Sequence, residues 1–284
     1  KKSVELFEKY HPRNVDFCAS LNNLGYLYSN YGDYESSIPL IQRSIDLNLD
    51  LSGDSSKITI AMHSLAETYE KKGSLKKAED LFRRGINILG NNLSKQLIVY
   101  KSDIAHNYIK QARYDEALDL LSQLDSTLFE HDEFQIELAN VYYLIGKIHS
   151  KRGVYKSANE FYSRALEKRK RLLYHNHPDL AVSYNSVGAI LYKTGKYREC
   201  LPYLEKALEI RKITLGDNHP DVATSQMNIG VIYQTLGKYT RAGNYLEESL
   251  RISYNVYDSI HSNIAQCYNN LGNNYNYLGR YKIA

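Results

Sequence analysis

The sequence of 284 residues has no tryptophan, two methionines, five prolines and three cysteines. The cysteines, Cys18, Cys200 and Cys267, are far apart and lack the spacing of a metal site, so a reduced, cytoplasmic setting is expected. No hydrophobic run approaches the roughly 18 residues that a membrane span needs, and the N-terminal stretch KKSVELFEKY lacks the apolar core of a signal peptide. These absences predict a folded protein without a membrane segment.

The sequence also has little excess of either sign of charge and few motifs typical of catalytic sites. The 36 basic and 32 acidic residues leave a net charge of +4, which does not by itself indicate a nucleic-acid partner. The GKY sequences at 195–197 and 237–239 are not part of a phosphate loop, and no Gly-x-Ser-x-Gly motif occurs. His175 and His177 could form a metal-binding pair, but no further ligand cluster accompanies them. We therefore expect no enzyme activity, no cofactor and no metal site.

What the chain does contain is an internal repeat. A small residue, usually glycine, is followed seven positions later by a second small residue and twelve positions later by a third. The pattern occurs seven times, at separations of 39 to 42 residues, which indicates a repeat array. The first small residues are Gly25, Ala66, Ala105, Gly146, Gly188, Gly230 and Gly272, and the last third-column residue is Ala284.

Each repeat has the pattern of two amphipathic helices joined by a tight turn. In repeat five, His-Pro at 177–178 suits a helix start, and Gly195 suits the left-handed residue that ends the helix. A glycine inside a helix costs about 0.5–1 kcal/mol relative to alanine. Gly188 in the middle of the first helix therefore predicts a close approach to the second helix, with Cys200 opposite. The histidines at the helix starts are interpreted as structural.

This frame resembles the tetratricopeptide repeat, in which a tyrosine stands three residues after the first small residue, as Tyr28, Tyr69, Tyr108, Tyr233 and Tyr275 do. The 42-residue period and the sequence LGDNHPDVA…NIGVIYQTLGKYTRA resemble the long-helix subclass of kinesin light chains and nephrocystin-like proteins. The resemblance covers essentially the whole chain. It implies an all-α solenoid, a right-handed superhelix of about six and a half antiparallel helix pairs.

The resemblance also implies a division of the chain. Residues 1–12 are expected to form the lone second helix of a preceding repeat, so that the array 13–284 looks like a segment of a larger protein. Repeat three departs from the pattern, since it has Ala105 and Ala112 in place of both glycines and Leu124 where its neighbours have a small residue. The repeats are expected at about 14–54, 55–94, 95–134, 135–175, 176–217, 218–259 and, incompletely, 260–284.

In such arrays the first helix of each pair lines a concave groove. Side chains on one stripe of this helix are not needed for packing and are free to bind a ligand. Lysines in repeats three to five favour an acidic ligand, and asparagines at both ends can hydrogen-bond a peptide backbone. The candidate ligand-binding residues are Asn22, Asn23, Tyr26, His106, Lys110, Tyr143, Lys147, Lys151, Asn185, Lys193, Asn228, Asn269 and Asn273.

The sequence therefore predicts a non-enzymatic scaffold that binds a peptide segment or partner protein in its groove, most simply an acidic linear motif. The alternative is a sensor or regulatory region of a larger multidomain signalling or effector protein, in which neighbouring domains of the same polypeptide are partners. Nucleic-acid binding through the lysines is disfavoured by Glu67, Glu70 and the small net charge. A membrane partner is not expected.

Overall fold

The computed structural model describes residues 1–11, 13–51, 54–256 and 261–280. These residues form fourteen α-helices, one short 3₁₀ helix at Asp132–Phe134 and no β-strand. The first helices of the repeats, here called the A helices, are α2 (Val15–Asn30), α4 (Ser55–Lys71), α6 (Lys95–Lys110), α8 (Gln135–Lys151), α10 (Pro178–Lys193), α12 (Pro220–Thr235) and α14 (Ser262–Tyr277). The second helices, here called the B helices, are α3 (Tyr34–Leu51), α5 (Leu75–Leu89), α7 (Tyr114–Leu128), α9 (Tyr155–Leu172), α11 (Tyr197–Leu215) and α13 (Tyr239–Val256). The helix α1 (Lys2–Tyr10) precedes the first helix pair. Ala284, the last residue of the repeat pattern, lies outside the described residues.

The helices form two compact units, Lys1–Leu144 and Ile145–Ala284. In the first unit each helix from α1 to α7 contacts the next, and α2 also contacts α4. In the second unit each helix from α9 to α14 contacts the next, and α12 also contacts α14. Helices that pack on their neighbours in sequence are the arrangement of a solenoid. The predicted all-α solenoid is confirmed.

The turn between the helices of a pair contains a residue in the left-handed backbone region. In repeats five and six this residue is Gly195, with φ 77°, and Gly237, with φ 72°. Both stand at the second small position, so the helix-ending role predicted for this glycine is confirmed. Repeat three differs: Ala112 has φ 59° and is the one non-glycine residue with a positive φ in the described part of the chain.

The glycine inside the A helix allows the two helices of a pair to touch. A Cβ atom added to Gly188 would lie 2.7 Å from Cδ2 of Leu204 and 3.5 Å from the carbonyl oxygen of Cys200. One repeat later, a Cβ on Gly230 would lie 2.8 Å from Cγ of Leu246. The predicted close approach is therefore confirmed. The side chain that covers the glycine is a leucine one turn beyond the small residue that the sequence pattern identified.

Histidines cap three of the A helices. Nδ1 of His177 accepts a hydrogen bond from the backbone N–H two residues later at 3.1 Å. The distance is 3.1 Å at His219 and 3.2 Å at His261. Each bond satisfies one of the backbone N–H groups that a helix start leaves without a partner. The structural role predicted for these histidines is confirmed.

Tyrosines of the last two A helices connect their repeats to the previous ones. The hydroxyl of Tyr233 on α12 donates to Glu205 on α11 at 2.9 Å. In the next repeat Tyr275 on α14 donates to Glu247 on α13, also at 2.9 Å. A tyrosine can place its ring between helices while its hydroxyl reaches a polar partner at the surface, which accounts for part of the high tyrosine content.

Among the described residues, none of the helices combines the length and apolar character that crossing a bilayer would require.

Candidate functional site

Two neighbouring A helices of the second unit, α10 and α12, enclose a groove together with α11. Its cavity of about 280 Å³ has a polar rim formed by Asn185, Lys193 and Asn228. We call it the α10–α12 groove, and its remaining lining residues are Ala189, Tyr192, Leu204, Met227, Val231 and Ile232. The structure therefore brings three of the predicted ligand-binding residues together around an apolar floor.

The charge at this groove is positive. Lys193 is exposed, and its Nζ lies 5.5 Å from the centroid of the Tyr155 ring, a cation–π contact. The acidic residue of α10 is Asp179 in its first turn, and that of α12 is Asp221 in its first turn. Along α10, Asp179 and Lys193 are separated by roughly 21 Å of helix axis at 1.5 Å per residue. The acids of these two helices therefore lie at the opposite end from the ammonium group.

Four further predicted residues of the second unit do not line this groove. Lys147, partly exposed, and Lys151, exposed, are on α8, while the exposed Asn269 and Asn273 are on α14. The helix α14 is tied to α12, because Nε2 of Gln234 donates to the carbonyl oxygen of Asn270 at 2.7 Å. The asparagines of α14 therefore lie on the A helix next to the groove.

In the first unit, two predicted residues line a second cavity. Asn22 and Asn23 lie at a space of about 280 Å³ between α2, α3 and α4, here called the α2–α4 pocket. Asn22 is 9% exposed, and its Oδ1 is buried without a hydrogen-bond partner among the described residues. The remaining lining residues are Val15, Asp16, Ala19, Ser44, Asn48, Lys57, Ile60 and Ala61.

The charge of Lys110 is compensated within the protein. Its Nζ lies 2.6 Å from Oε2 of Glu70 on the preceding A helix. The side chain of Glu70 is 9% exposed and also accepts a hydrogen bond from Nδ2 of Asn107 at 2.7 Å. His106 and Tyr143, the neighbouring predicted residues of this unit, are partly exposed. Lys110 therefore does not supply the uncompensated positive charge that was expected for an acidic ligand.

Acidic side chains also lie close to Tyr26 and His63 on the A helices of the first unit. Tyr26 is 37% exposed, and the charge of Glu67, with some burial, raises its pKa. Oδ2 of Asp103 lies 2.7 Å from Nε2 of His63. Burial lowers the pKa of His63, but the hydrogen bond and charge of Asp103 outweigh it, so the net shift of this pKa is upward. The first unit thus carries both signs of charge on its A helices.

Groups that could perform chemistry are sparse. Within the described ranges, no three His, Cys, Asp or Glu side chains come together as a metal site would require. Cys200 is buried in the small-residue column, and burial raises its pKa to about 11. A thiol with such a pKa is not a nucleophile at neutral pH.

The apolar floor of the α10–α12 groove was not predicted from the sequence. Met227 stands three residues before Gly230, at the same repeat position as Asn185 before Gly188. Val231 follows Gly230 directly. Both fall on the stripe that was expected to bind ligands, but only its polar members were selected. The alignment of the repeats could have identified Met227 and Val231, because it places them at the same positions as predicted ligand-binding residues.

Comparison with known proteins identifies similar chains. A tetratricopeptide repeat family model matches residues 16–91, 137–212 and 179–255, together more than half of the chain. BtubC (BKLC) from P. vanneervenii, a kinesin light chain-like protein, is 23% identical, with a TM-score of 0.51 over 88% of this chain and 86% of that one. The apo form of RapI is 16% identical, with a TM-score of 0.71 over 94% and 73% of the two chains.

A third solved structure is a Signal Transduction ATPase with Numerous Domains from Pyrococcus horikoshii that has a tetratricopeptide repeat sensor. It is 18% identical, with a TM-score of 0.67 over 93% of this chain but 39% of that one. At these identities the similarity concerns the fold alone. Among curated protein sequences, none matches.

Proposed function

Because this chain belongs to the tetratricopeptide repeat family, as its sequence pattern predicted, we propose that it is a non-enzymatic interaction scaffold that binds an acidic linear segment of a partner protein. The observation that carries this proposal is the α10–α12 groove, where the ammonium group of Lys193 and the amides of Asn185 and Asn228 surround an apolar floor.

Each part of the groove suits one part of a peptide. A side-chain amide both donates and accepts hydrogen bonds, so Asn185 and Asn228 can pair with the backbone of an extended segment. Lys193 can pair with a carboxylate, and the floor around Met227 and Val231 can hold a neighbouring apolar side chain. A surface with one sign of charge favours ligands of the opposite sign.

The same proposal assigns supporting roles to the other predicted residues. Lys147 and Lys151 add positive charge on α8, and Asn269 and Asn273 add amides on α14. In the first unit, Tyr26, His106, Lys110 and Tyr143 are proposed to contact a peptide segment on the A helices of that unit.

Charge reversal tests this function. The double variant K147E/K193E should weaken binding of a fluorescein-labelled peptide of alternating glutamate and leucine by more than tenfold. The loss of the charge-assisted hydrogen bond of Lys193 accounts for about 1.5–3 kcal/mol, and the change at Lys147 removes further positive charge from the same unit. Fluorescence anisotropy measures the affinity, and circular dichroism should show an unchanged melting temperature. The matched control K206E/K212E makes the same charge change on α11, away from the groove, and should bind like the parent. Equal binding by both double variants would overturn the proposal.

A second function is a sensor region of a larger signalling protein. It is favoured by the similarity over 93% of this chain to a protein whose repeats form a sensor. A nucleotide-binding or catalytic domain encoded next to this array would support it, and a gene that encodes the array alone would overturn it.

A cytoplasmic location is part of the leading proposal. The three cysteines are widely spaced, buried and free, as is usual for proteins of a reducing compartment. Fluorescence microscopy of a tagged full-length protein would test this, and secretion of the protein would contradict it.

A further inference from the structure

The junctions between consecutive repeats contain one recurrent site, where the end of a B helix meets the start of the next A helix. In the fourth and fifth junctions two repeat positions are in contact there: the residue 23 places after the first small residue of a repeat, and the residue five places before the first small residue of the next repeat. The third and sixth junctions have other residues at these positions, Leu128 with Val141 and Ser253 with Cys267. Which residues occupy them decides whether the site is filled.

Arginines fill this site in the fourth and fifth junctions. Nη1 of Arg169 donates to Oγ of Ser183 at 2.6 Å and to the carbonyl oxygen of Asp179 at 3.2 Å. One repeat later, Nη1 of Arg211 donates to Oγ of Ser225 at 2.5 Å. Arg169 is only 5% exposed. The chain thus places its own guanidinium groups between helices at these two junctions.

A tyrosine fills the site in the second junction. Tyr100 is 1% exposed, and its hydroxyl donates to the carbonyl oxygen of Thr59. It packs over Gly85, where an added Cβ atom would lie 2.0 Å from the tyrosine ring. Although the residue type differs, the site again holds a large side chain whose polar group donates.

The first junction has neither an arginine nor a tyrosine at these positions. The equivalent positions are Asn48 and Ala61, and both line the α2–α4 pocket of about 280 Å³. Two hydrogen-bond acceptors lie at this space: the buried Oδ1 of Asn22, which has no partner among the described residues, and the exposed carboxylate of Asp16. A buried amide oxygen without a partner costs free energy, which a ligand that donates a hydrogen bond would recover.

We propose that the α2–α4 pocket binds the guanidinium group of an arginine side chain from a partner protein. This group is the one that the chain itself inserts as Arg169 and Arg211 at later junctions. A guanidinium has five N–H donors in a planar fork and is more weakly hydrated than an ammonium group, so it is the cation best suited to a partly open pocket with one buried amide oxygen and one carboxylate.

The one basic side chain at the pocket does not oppose this ligand strongly. Nζ of Lys57 lies 3.5 Å from Oδ2 of Asp54, and the lysine side chain is 46% exposed. Its charge is therefore compensated and screened by water.

This inference rests on the proposed function only in that both sites lie on the A helices of one binding scaffold. The ligand chemistry is the opposite of that proposed for the α10–α12 groove. The variant K147E/K193E should therefore keep the response to guanidinium, so that the two proposals can fail separately.

Nuclear magnetic resonance of the full chain tests the pocket with a small probe. Ethylguanidinium should shift the side-chain amide signal of Asn22 in a saturable manner, and ethylammonium should not. The blocked peptide acetyl-Gly-Arg-Gly-amide should cause the same shift, whereas its citrulline analogue should not. An unmoved Asn22 signal, or equal shifts from both small cations, would overturn the proposal. A response to ethylguanidinium without one to the arginine peptide would overturn the assignment to a protein partner.

The chain itself offers a matched variant. The double change N48R/A61S copies the pair Arg169 and Ser183 into the first junction, so it should fill the pocket, abolish the ethylguanidinium shift and raise the melting temperature. Binding of the acidic peptide should be unaffected. A persisting shift in the folded variant would contradict the assigned position of the site. If that variant does not fold, Ala61→Leu provides the same test, because it closes the pocket with an apolar side chain and should also abolish the ethylguanidinium shift.

Discussion

At the scale of single residues, backbone conformation separates repeat three from the others. The turn between α6 and α7 requires a left-handed residue, and Ala112 adopts it with φ 59°. For a residue with a Cβ atom this region costs roughly 1–2 kcal/mol, because the Cβ atom crowds the following carbonyl group. Repeat three therefore retains the turn geometry without the residue that suits it.

Replacing Ala112 with glycine should raise the free energy of unfolding by about 1 kcal/mol, since the left-handed strain is removed while glycine adds flexibility to the unfolded chain. Urea denaturation followed by circular dichroism measures the change. The reverse substitution, Gly195→Ala, is the control: Gly195 has φ 77° and nothing within 4 Å of an added Cβ, so only the backbone is affected. It should lower stability by a similar amount. An unchanged or lower stability of the Ala112→Gly variant would contradict this explanation.

At the scale of helices, buried polar side chains hold neighbouring repeats together. The guanidinium of Arg169 connects α9 to the first turns of α10. A buried charged group that loses its partners is costly, but here the hydrogen bonds to Ser183 and to a backbone carbonyl satisfy part of its donor capacity. The same arrangement recurs with Arg211 and Ser225.

Arg169→Ala should reduce the stability of the α9–α10 junction by about 2–3 kcal/mol, because it removes charge-assisted hydrogen bonds and the packed methylene stem. Repeat arrays can open locally, so hydrogen exchange of the α10 amides is the suitable measurement. Arg171→Ala is the control on the same helix, since Arg171 is exposed. Equal exchange rates in the two variants would show that Arg169 does not stabilise the junction.

At the scale of the whole molecule, the two units differ in charge. Residues 1–144 contain 16 lysines and arginines against 21 aspartates and glutamates, whereas residues 145–284 contain 20 against 11. The residues proposed to bind an acidic segment are therefore concentrated in one half of the chain.

A fragment of residues 135–284, which contains all of α8, should fold alone and bind the acidic peptide within about threefold of the full chain. The physical reason is that each repeat in a solenoid depends on its nearest neighbours only. The fragment 1–134 should be helical but should bind the peptide at least tenfold more weakly. Circular dichroism and fluorescence anisotropy measure folding and affinity. Tight binding by fragment 1–134 would contradict the placement of the site.

Features that depend on residues close in sequence were predictable. The turn glycines such as Gly195, the helix starts at His177 and His219, and the small column that contains Cys200 all follow from local spacing, and the structure agrees. Contacts between repeats were not predictable in the same way. The ion pair of Lys110 with Glu70 joins residues 40 positions apart, and no local sequence pattern around either residue indicates this pairing.

The candidate site shows the same division. Asn185 and Lys193 were predicted from the sequence to lie on one stripe, with Asn228 beside it, but their common groove and its floor at Met227 became visible only in three dimensions. The open first junction was equally hidden, because Asn48 and Ala61 are unremarkable until they are compared with Arg169 and Ser183 in space.

The amino-acid sequence by itself determined that this protein is a stack of helix pairs, because the turn residues and the close-packed glycines act within one helix pair and recur with a fixed period. Tertiary structure alone decided which charges remain open to a ligand and which spaces stay unfilled. Those properties depend on side chains about 40 residues apart, whose burial and pairing are set when neighbouring repeats pack.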